Sequence, residues 1–193
     1  MLLTKNTIFI LASSSEARKK ISQKYKLNVE VKNHKINEEK EKERLISKNI
    51  EEISLYLAKK KAESIVNEFP NRFIIGSDQV LIFEKKIFGK PKSIDEAKQN
   101  FQKFQGKKHQ LMSSIYITQN YKKVWTITKK AELYLNKMTN KQVNTYIMKN
   151  QKTVLKTVGS YKIENENDNL IQIIEGDIDT IMGFPIKNFL NTL

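Results

Sequence analysis

Short apolar runs alternate along this chain with longer stretches of helical periodicity, and that order points to a layered α/β domain. Thr7 to Ala12 reads as a first strand, and Arg18 to Tyr25 as a short helix opened by serines suited to capping it. Glu51 to Phe69 carries Ile53, Leu57, Ile65 and Val66 at helical spacing, which predicts a long amphipathic helix. Phe73-Ile74-Ile75 suits a buried strand that ends in Gly76-Ser77-Asp78, and Val80 to Phe83 resumes it before a turn at Glu84-Lys85-Lys86. Ser93 to Glu96 has capping-box spacing and predicts a helix to Phe104, stopped by Gly106. Leu111 to Thr118 and Val124 to Leu135 read as paired strands joined near Gln119-Asn120. Thr139 to Gln142 is a second capping box, opening a helix to Lys149. Gly159 to Glu164 and Leu170 to Glu175 complete the strands, and Pro185 suits the first turn of a C-terminal helix. Lys35 to Lys48 is mostly charged, with weak periodicity.

A chain of 193 residues with 39% hydrophobic content has enough apolar material for a core, either as one domain or as one domain with two lobes. It contains no apolar run of about 18 residues, the length a membrane span needs. Ile8 to Ala12 is too short for the apolar segment of a signal peptide and is met at once by Ser13-Ser14-Ser15. Zero cysteines exclude disulfides and thiolate metal sites, and a cytoplasmic location follows by default. The formal net charge of +14 draws polyanions. The lysines are scattered rather than gathered in a stripe, which favours a small phosphate compound over a dedicated nucleic-acid surface.

Four clusters carry residues suited to chemistry. In Leu11 to Arg18 a buried strand gives way to hydroxyls and a helix start, where backbone N–H groups make an anion site. Arg18 can fork onto a phosphate there, although a helix cap with a surface arginine explains the same residues. In Ile74 to Val80, Asp78 is flanked by apolar strand residues, so it is either salt-bridged for structure or poised at a cleft as a base or metal ligand. Lys90, fixed between Gly89 and Pro91, has a defined direction useful for a phosphate, and no Walker P-loop accompanies it. Finally, Gly159 to Glu164 is followed by glycine turns at Gly176 and Gly183, and Glu164 can accept hydrogen bonds from a nucleobase edge. His34 and His109 lack a second ligand at zinc spacing, and His109 is expected in a loop. No Ser-His-Asp set with a glycine-flanked nucleophile is present.

In this order and at these separations, the clusters resemble the Maf family of nucleoside triphosphate pyrophosphatases from Ile8 to Leu193. The pieces are Leu11-Ala12-Ser13-x-Ser15-x-x-Arg18, Leu57-Ala58-x-x-Lys61-Ala62, Gly76 to Val80, Gly89-Lys90-Pro91, Gly159-Ser160-Tyr161-x-x-Glu164 and Gly183-Phe184-Pro185. The resemblance implies a single Maf-like domain over residues 1–193. Its expected fold is a mixed, twisted α/β sheet with flanking helices and two lobes around a central groove, related to inosine triphosphatases.

That resemblance further implies that Asp78 accepts a proton from water and that Ser13, Ser15, Arg18, Lys61 and Lys90 surround the triphosphate. It also implies a divalent cation, Mg²⁺ or Mn²⁺, held by an acidic residue before the long helix, with Glu38 the best match and Glu39 the other. Base choice is implied at Ala17, Gln79 and Glu164. Gln79 with Glu164 matches the subfamily acting on 7-methyl-GTP, whereas Ala17 stands where that subfamily has a tryptophan able to stack on a cationic base. A dTTP/UTP pyrophosphatase of the same family is the alternative substrate class. The family also suggests a homodimer. Rivals of other classes are a basic nucleic-acid-binding protein keeping only the fold, and a cell-division regulator that binds nucleotides without cutting them. Retention of Asp78, Lys61 and Lys90 together disfavours the regulator.

Overall fold

In a computed structural model of the chain, residues 3–4, 6–43, 49–161, 163 and 170–193 are described. They fall into two compact units, one taking in Met1–Gln79, Met112–Lys129 and Ile178–Leu193, the other Val80–Leu111 and Lys130–Asp177. The strands are β1 (Phe9–Ala12), β2 (Val29–Lys32), β3 (Ile74–Phe83), β4 (Lys86–Phe88), β5 (Lys107–Gln119), β6 (Lys122–Leu135) and β7 (Ile171–Glu175). They form a seven-stranded mixed sheet in the order β2-β1-β3-β5-β6-β7, with β4 paired to β3. β1 runs parallel to both β2 and β3, while β4 and β7 pair antiparallel with β3 and β6.

In the first unit, β1 is buried on both faces, which is why it reads as a continuous apolar run rather than an alternation. Phe9 and Leu11 join a core with Ile21 of α1 (Glu16–Lys24) and with Phe184, Ile186 and Phe189. Ile10 and Ala12 face the other way, onto Ala58 and Ala62 of α3 (Ile50–Glu63), which follows the short α2 (Glu38–Glu43). Asn49 caps α3 by accepting from the Glu51 N–H at 3.3 Å. Glu51 and Glu52 in its first turn and Lys60 and Lys61 in its last complement the helix dipole. This helix stops at Glu63 rather than running to Phe69, because Ile65 leaves the helical region at φ −124° and a short 3-10 turn, Val66–Glu68, takes over.

β3 is unbroken, contrary to the expected interruption at Gly76-Ser77-Asp78. Gly76 serves close packing instead: a Cβ there would lie 2.0 Å from the Ala58 carbonyl oxygen and 2.8 Å from the Ala62 nitrogen. The strand ends at a two-residue turn, Glu84-Lys85, with both residues at positive φ, and returns as β4. The β5–β6 turn is built alike, on Asn120 and Tyr121.

In the second unit, Phe83, Phe88 and Phe104 pack edge to face, with Phe104 on α4 (Ile94–Phe104). Phe101 of α4 meets Tyr146 of α5 (Asn140–Lys149), whose capping box of Thr139 and Gln142 is complete; α6 (Gln151–Val154) follows. Ser93 caps α4, but Glu96 closes onto the Lys92 N–H rather than the cap residue's own. No strand forms at 159–161, a turn in which Ser160 takes φ +60°, incompatible with extended backbone. Residues 162 and 164–169 lie outside the described residues, and with them the remainder of that expected strand. The chain closes with α7 (Ile178–Ile181) and α8 (Lys187–Leu190); Pro185 precedes the Ile186 cap of α8 instead of entering its first turn. Among the described residues, no helix is long and apolar enough to cross a membrane.

Candidate active site

Lys61, in the last turn of α3, points onto β3 and is only 3% exposed. Its ammonium donates to Asp78 Oδ1 at 2.5 Å and lies 2.9 Å from Glu38 Oε1. A buried charge is tolerated only with such pairing, and here one cation holds two carboxylates brought from separate elements. Asp78 itself is 4% exposed, and its second oxygen, Oδ2, has no hydrogen-bond partner among the described residues. Asp78 is thus ion-paired, the first of the two roles left open by its sequence context. Glu38 also takes His34, whose Nε2 stands 3.3 Å from Oε1. His34 and Glu38 stand at i, i+4 spacing entering a helix, a sequence signal for a histidine–carboxylate contact although not for a zinc site.

Arg18 is buried on α1. Its Nε donates to the Gly183 carbonyl at 3.0 Å and its Nη1 to Ser13 Oγ at 3.1 Å. Burial lowers its pKa from the ordinary value, while the charges of Asp78 and Glu38 act to raise it. It is a core guanidinium rather than the surface arginine of the simpler sequence alternative. Ser13 Oγ also accepts from the Ser15 N–H at 3.2 Å, so the expected serine turn is present, but Ser15 makes no side-chain cap bond to α1. Gln79 directs its amide to Ser113 Oγ and to the carbonyls of Thr180 and Ile181 at 2.9 to 3.1 Å.

Within the first unit the fold thus gathers Ser13, Arg18, Glu38, Lys61, Asp78 and Gln79, with Ser15 and Ala17 half-buried at the start of α1. Lys90 is exposed after β4 in the second unit, next to buried Pro91. Glu164 and the side chain of Glu39 lie outside the described residues. His109 is not in a loop: it belongs to β5, is 2% exposed, stacks on Phe104 and shares a 2.5 Å hydrogen bond between Nε2 and Tyr161 Oη. Burial lowers its pKa to about 4.

The donor set fits a divalent cation in part. Glu38 and Asp78 offer hard carboxylate oxygens on a shared ammonium, and Asp78 Oδ2 is unmatched. Among the described residues no cluster of three or more His, Cys, Asp or Glu forms a complete cage. Mg²⁺ is commonly held in this way, by one or two carboxylates plus substrate phosphate oxygens and water.

Fold and cluster together define a mixed α/β protein built around a buried carboxylate–ammonium–carboxylate centre. The family model described as "Maf-like protein" matches residues 8–193, and the chain belongs to the Maf family. It is 37% identical over 180 residues to a nucleoside triphosphate pyrophosphatase of Pelagibacter ubique, covering 92% of each chain. It is 35% identical over 181 residues to a 7-methyl-GTP pyrophosphatase of Bartonella henselae, covering 94% of this chain and 91% of that one. Among solved structures, the Staphylococcus aureus Ham1 protein aligns with TM-score 0.45 and 13% identity over 67% of this chain and 72% of that one.

Proposed function

We propose that this chain, acting as one Maf-like domain over residues 1–193, hydrolyses the α–β phosphoanhydride of a nucleoside triphosphate to a monophosphate and pyrophosphate. The observation that carries this is Asp78: a buried carboxylate with Oδ1 on Lys61 and Oδ2 unpaired among the described residues, on the strand beside a buried arginine. A carboxylate oxygen free of a donor can take a proton from water. In the proposed step, a water oxygen bonds to the α-phosphorus and gives its proton to Asp78, and the bond to the α–β bridging oxygen breaks. Pyrophosphate leaves with the electron pair. Lys61 pairs with Asp78 Oδ1, and Arg18 and Lys61 with Ser13 and Ser15 supply positive charge and donors for the phosphates. Lys90 joins them by the family resemblance. Glu38 and Asp78 would hold a divalent cation, which would neutralise charge on the phosphate oxygens.

We assign 7-methyl-GTP as the substrate. Gln79 with Glu164 supports it, as do relatives bearing that activity in their names. A glutamate can accept from the N1–H and amino group of a guanine. Ala17, which cannot stack on the base, is the departure from that subfamily, and a dTTP/UTP substrate is the alternative. A cytoplasmic location, from the cysteine-free composition, and a homodimer, from the family, complete the proposal.

Pyrophosphate release from 7-methyl-GTP, dTTP, UTP and CTP, with and without Mg²⁺ or Mn²⁺, tests it. We expect metal-dependent release, fastest from 7-methyl-GTP, and loss of turnover in Asp78→Asn. No release from any nucleotide would overturn the activity, release led by dTTP or UTP only the choice of base, and full turnover in Asp78→Asn the role of Asp78.

A further inference from the structure

One short stretch, residues 180–183, receives an unusual concentration of side-chain donors on its backbone carbonyls. Ser113 Oγ donates to the Thr180 carbonyl at 2.7 Å. Gln79 Nε2 lies 3.1 Å from that same oxygen and 2.9 Å from the Ile181 carbonyl. The Gly183 carbonyl accepts both from Ser77 Oγ at 2.9 Å and from Arg18 Nε at 3.0 Å. A carbonyl oxygen has two lone pairs, so Gly183 is a shared acceptor with both filled.

The same stretch is anchored at its start. Asp179 is 5% exposed and accepts from Tyr25 Oη at 2.5 Å and Lys24 Nζ at 3.1 Å. Lys24 closes α1 and Tyr25 is its cap, while Arg18 lies in the first half of that helix. Both ends of α1 are therefore tied to one turn. The turn holds its form through the Phe184 N–H to Asp179 carbonyl bond at 2.8 Å and through Gly183, whose φ of +81° suits glycine.

Strand geometry gives this arrangement its meaning. Side chains alternate along β3, so Ser77 and Gln79 reach the turn while Asp78 between them reaches Lys61. Arg18 is thus tied, through a single carbonyl oxygen, to the residue immediately before Asp78.

We propose that the 179–183 turn is a positioning element: the Gly183 carbonyl, steadied by Ser77 and anchored through Asp179 and Tyr25, sets the Arg18 guanidinium relative to the Asp78 carboxylate. This rests on the pyrophosphatase activity proposed above. Ser77, Tyr25 and Asp179 are positioning residues, acting through Arg18. A displacement of about 1 Å at such a group can cost on the order of a hundredfold in rate.

The test measures kcat and KM for pyrophosphate release in Ser77→Ala, Tyr25→Phe and Asp179→Asn, each alone and combined with Arg18→Lys, which keeps the charge but lacks the guanidinium Nε. Thermal melting confirms folding. We expect each single variant to lower kcat by about tenfold with KM changed less than about threefold, the signature of lost transition-state alignment. In the Arg18→Lys background the same changes should cost less than about twofold more, because the group they align is already gone. Losses that multiply fully in that background, or an unchanged kcat in folded Ser77→Ala and Tyr25→Phe, overturn the proposal. If Arg18→Lys has no measurable turnover, Tyr25→Phe decides alone by its kcat. A wild-type protein that releases no pyrophosphate takes down both this proposal and the activity it rests on, whereas wild-type turnover with independent losses takes down this one only.

Discussion

Lys61 Nζ sits between two carboxylates, and its neighbours differ in what they can lose. Replacing Lys61 by methionine leaves the buried Asp78 carboxylate without its ammonium, and stranding a buried charge costs about 3–5 kcal/mol. Urea unfolding should show that loss together with lost turnover. Asp78→Asn should be milder on stability, because Lys61 keeps Glu38 at 2.9 Å; a larger loss than in Lys61→Met would show that the pair is organised around Asp78 instead. His109 supplies a separate prediction at this scale. Its folded pKa of about 4 lies below the ordinary value of 6.5, so between these values the unfolded chain binds the extra proton and unfolding stability falls as pH falls. The contribution is complete above pH 6.5, is lost through about pH 4, and is on the order of 3 kcal/mol. Denaturant midpoints measured from pH 7 to pH 4.5 should decline, and the decline should flatten in His109→Phe. That a histidine after Gly106-Lys107-Lys108 would be buried was not visible in sequence, because the lysines suggest a loop, whereas the ring stacks on Phe104 and meets Tyr161, 52 residues on.

At the scale of elements, helix α3 and strand β3 carry Lys61 and Asp78, and their separation depends on Gly76. Gly76→Ala puts a methyl 2.0 Å from the Ala58 carbonyl oxygen, a backbone atom that cannot rotate away. The helix must shift, at a cost of roughly 3 kcal/mol. Melting temperature should drop by roughly 6–12 °C for a chain of this size, and turnover should fall with it because Lys61 moves. A variant with wild-type melting and kcat would show that the strand accommodates the methyl without moving α3. Elements were most legible where the signal was local. The helix opened by Thr139 and Gln142 has the bounds its capping box implied, and the apolar runs of β1 and β3 are buried as expected. Two glycines were misread: Gly76 looked like punctuation yet serves a close tertiary approach, and Gly159 belongs to a turn packed under the Tyr161 ring instead of a strand.

For the whole molecule, the net charge of +14 and the triphosphate have opposite sign. KM for the nucleotide should rise several-fold from about 50 to about 500 mM potassium chloride as screening shortens the field, while kcat changes little. A KM indifferent to salt would confine the attraction to the buried pairs. If the surface instead serves nucleic acid, salt-sensitive binding of a labelled oligonucleotide will persist in Asp78→Asn. Membership of the Maf family was legible from six motifs, because their order and separations along the chain are specific together where each alone is weak. Charge, motif order and the capping box of Thr139 and Gln142 are properties of neighbours along the chain, and sequence by itself determined them. Tertiary structure alone decided that Lys61 would hold both Asp78 and Glu38, that Arg18 would donate to a carbonyl 165 residues away, and that one oxygen of Asp78 would be left unmatched among the described residues. Which buried charges meet depends on how helices and strands pack in space, and no periodicity along a single segment records it.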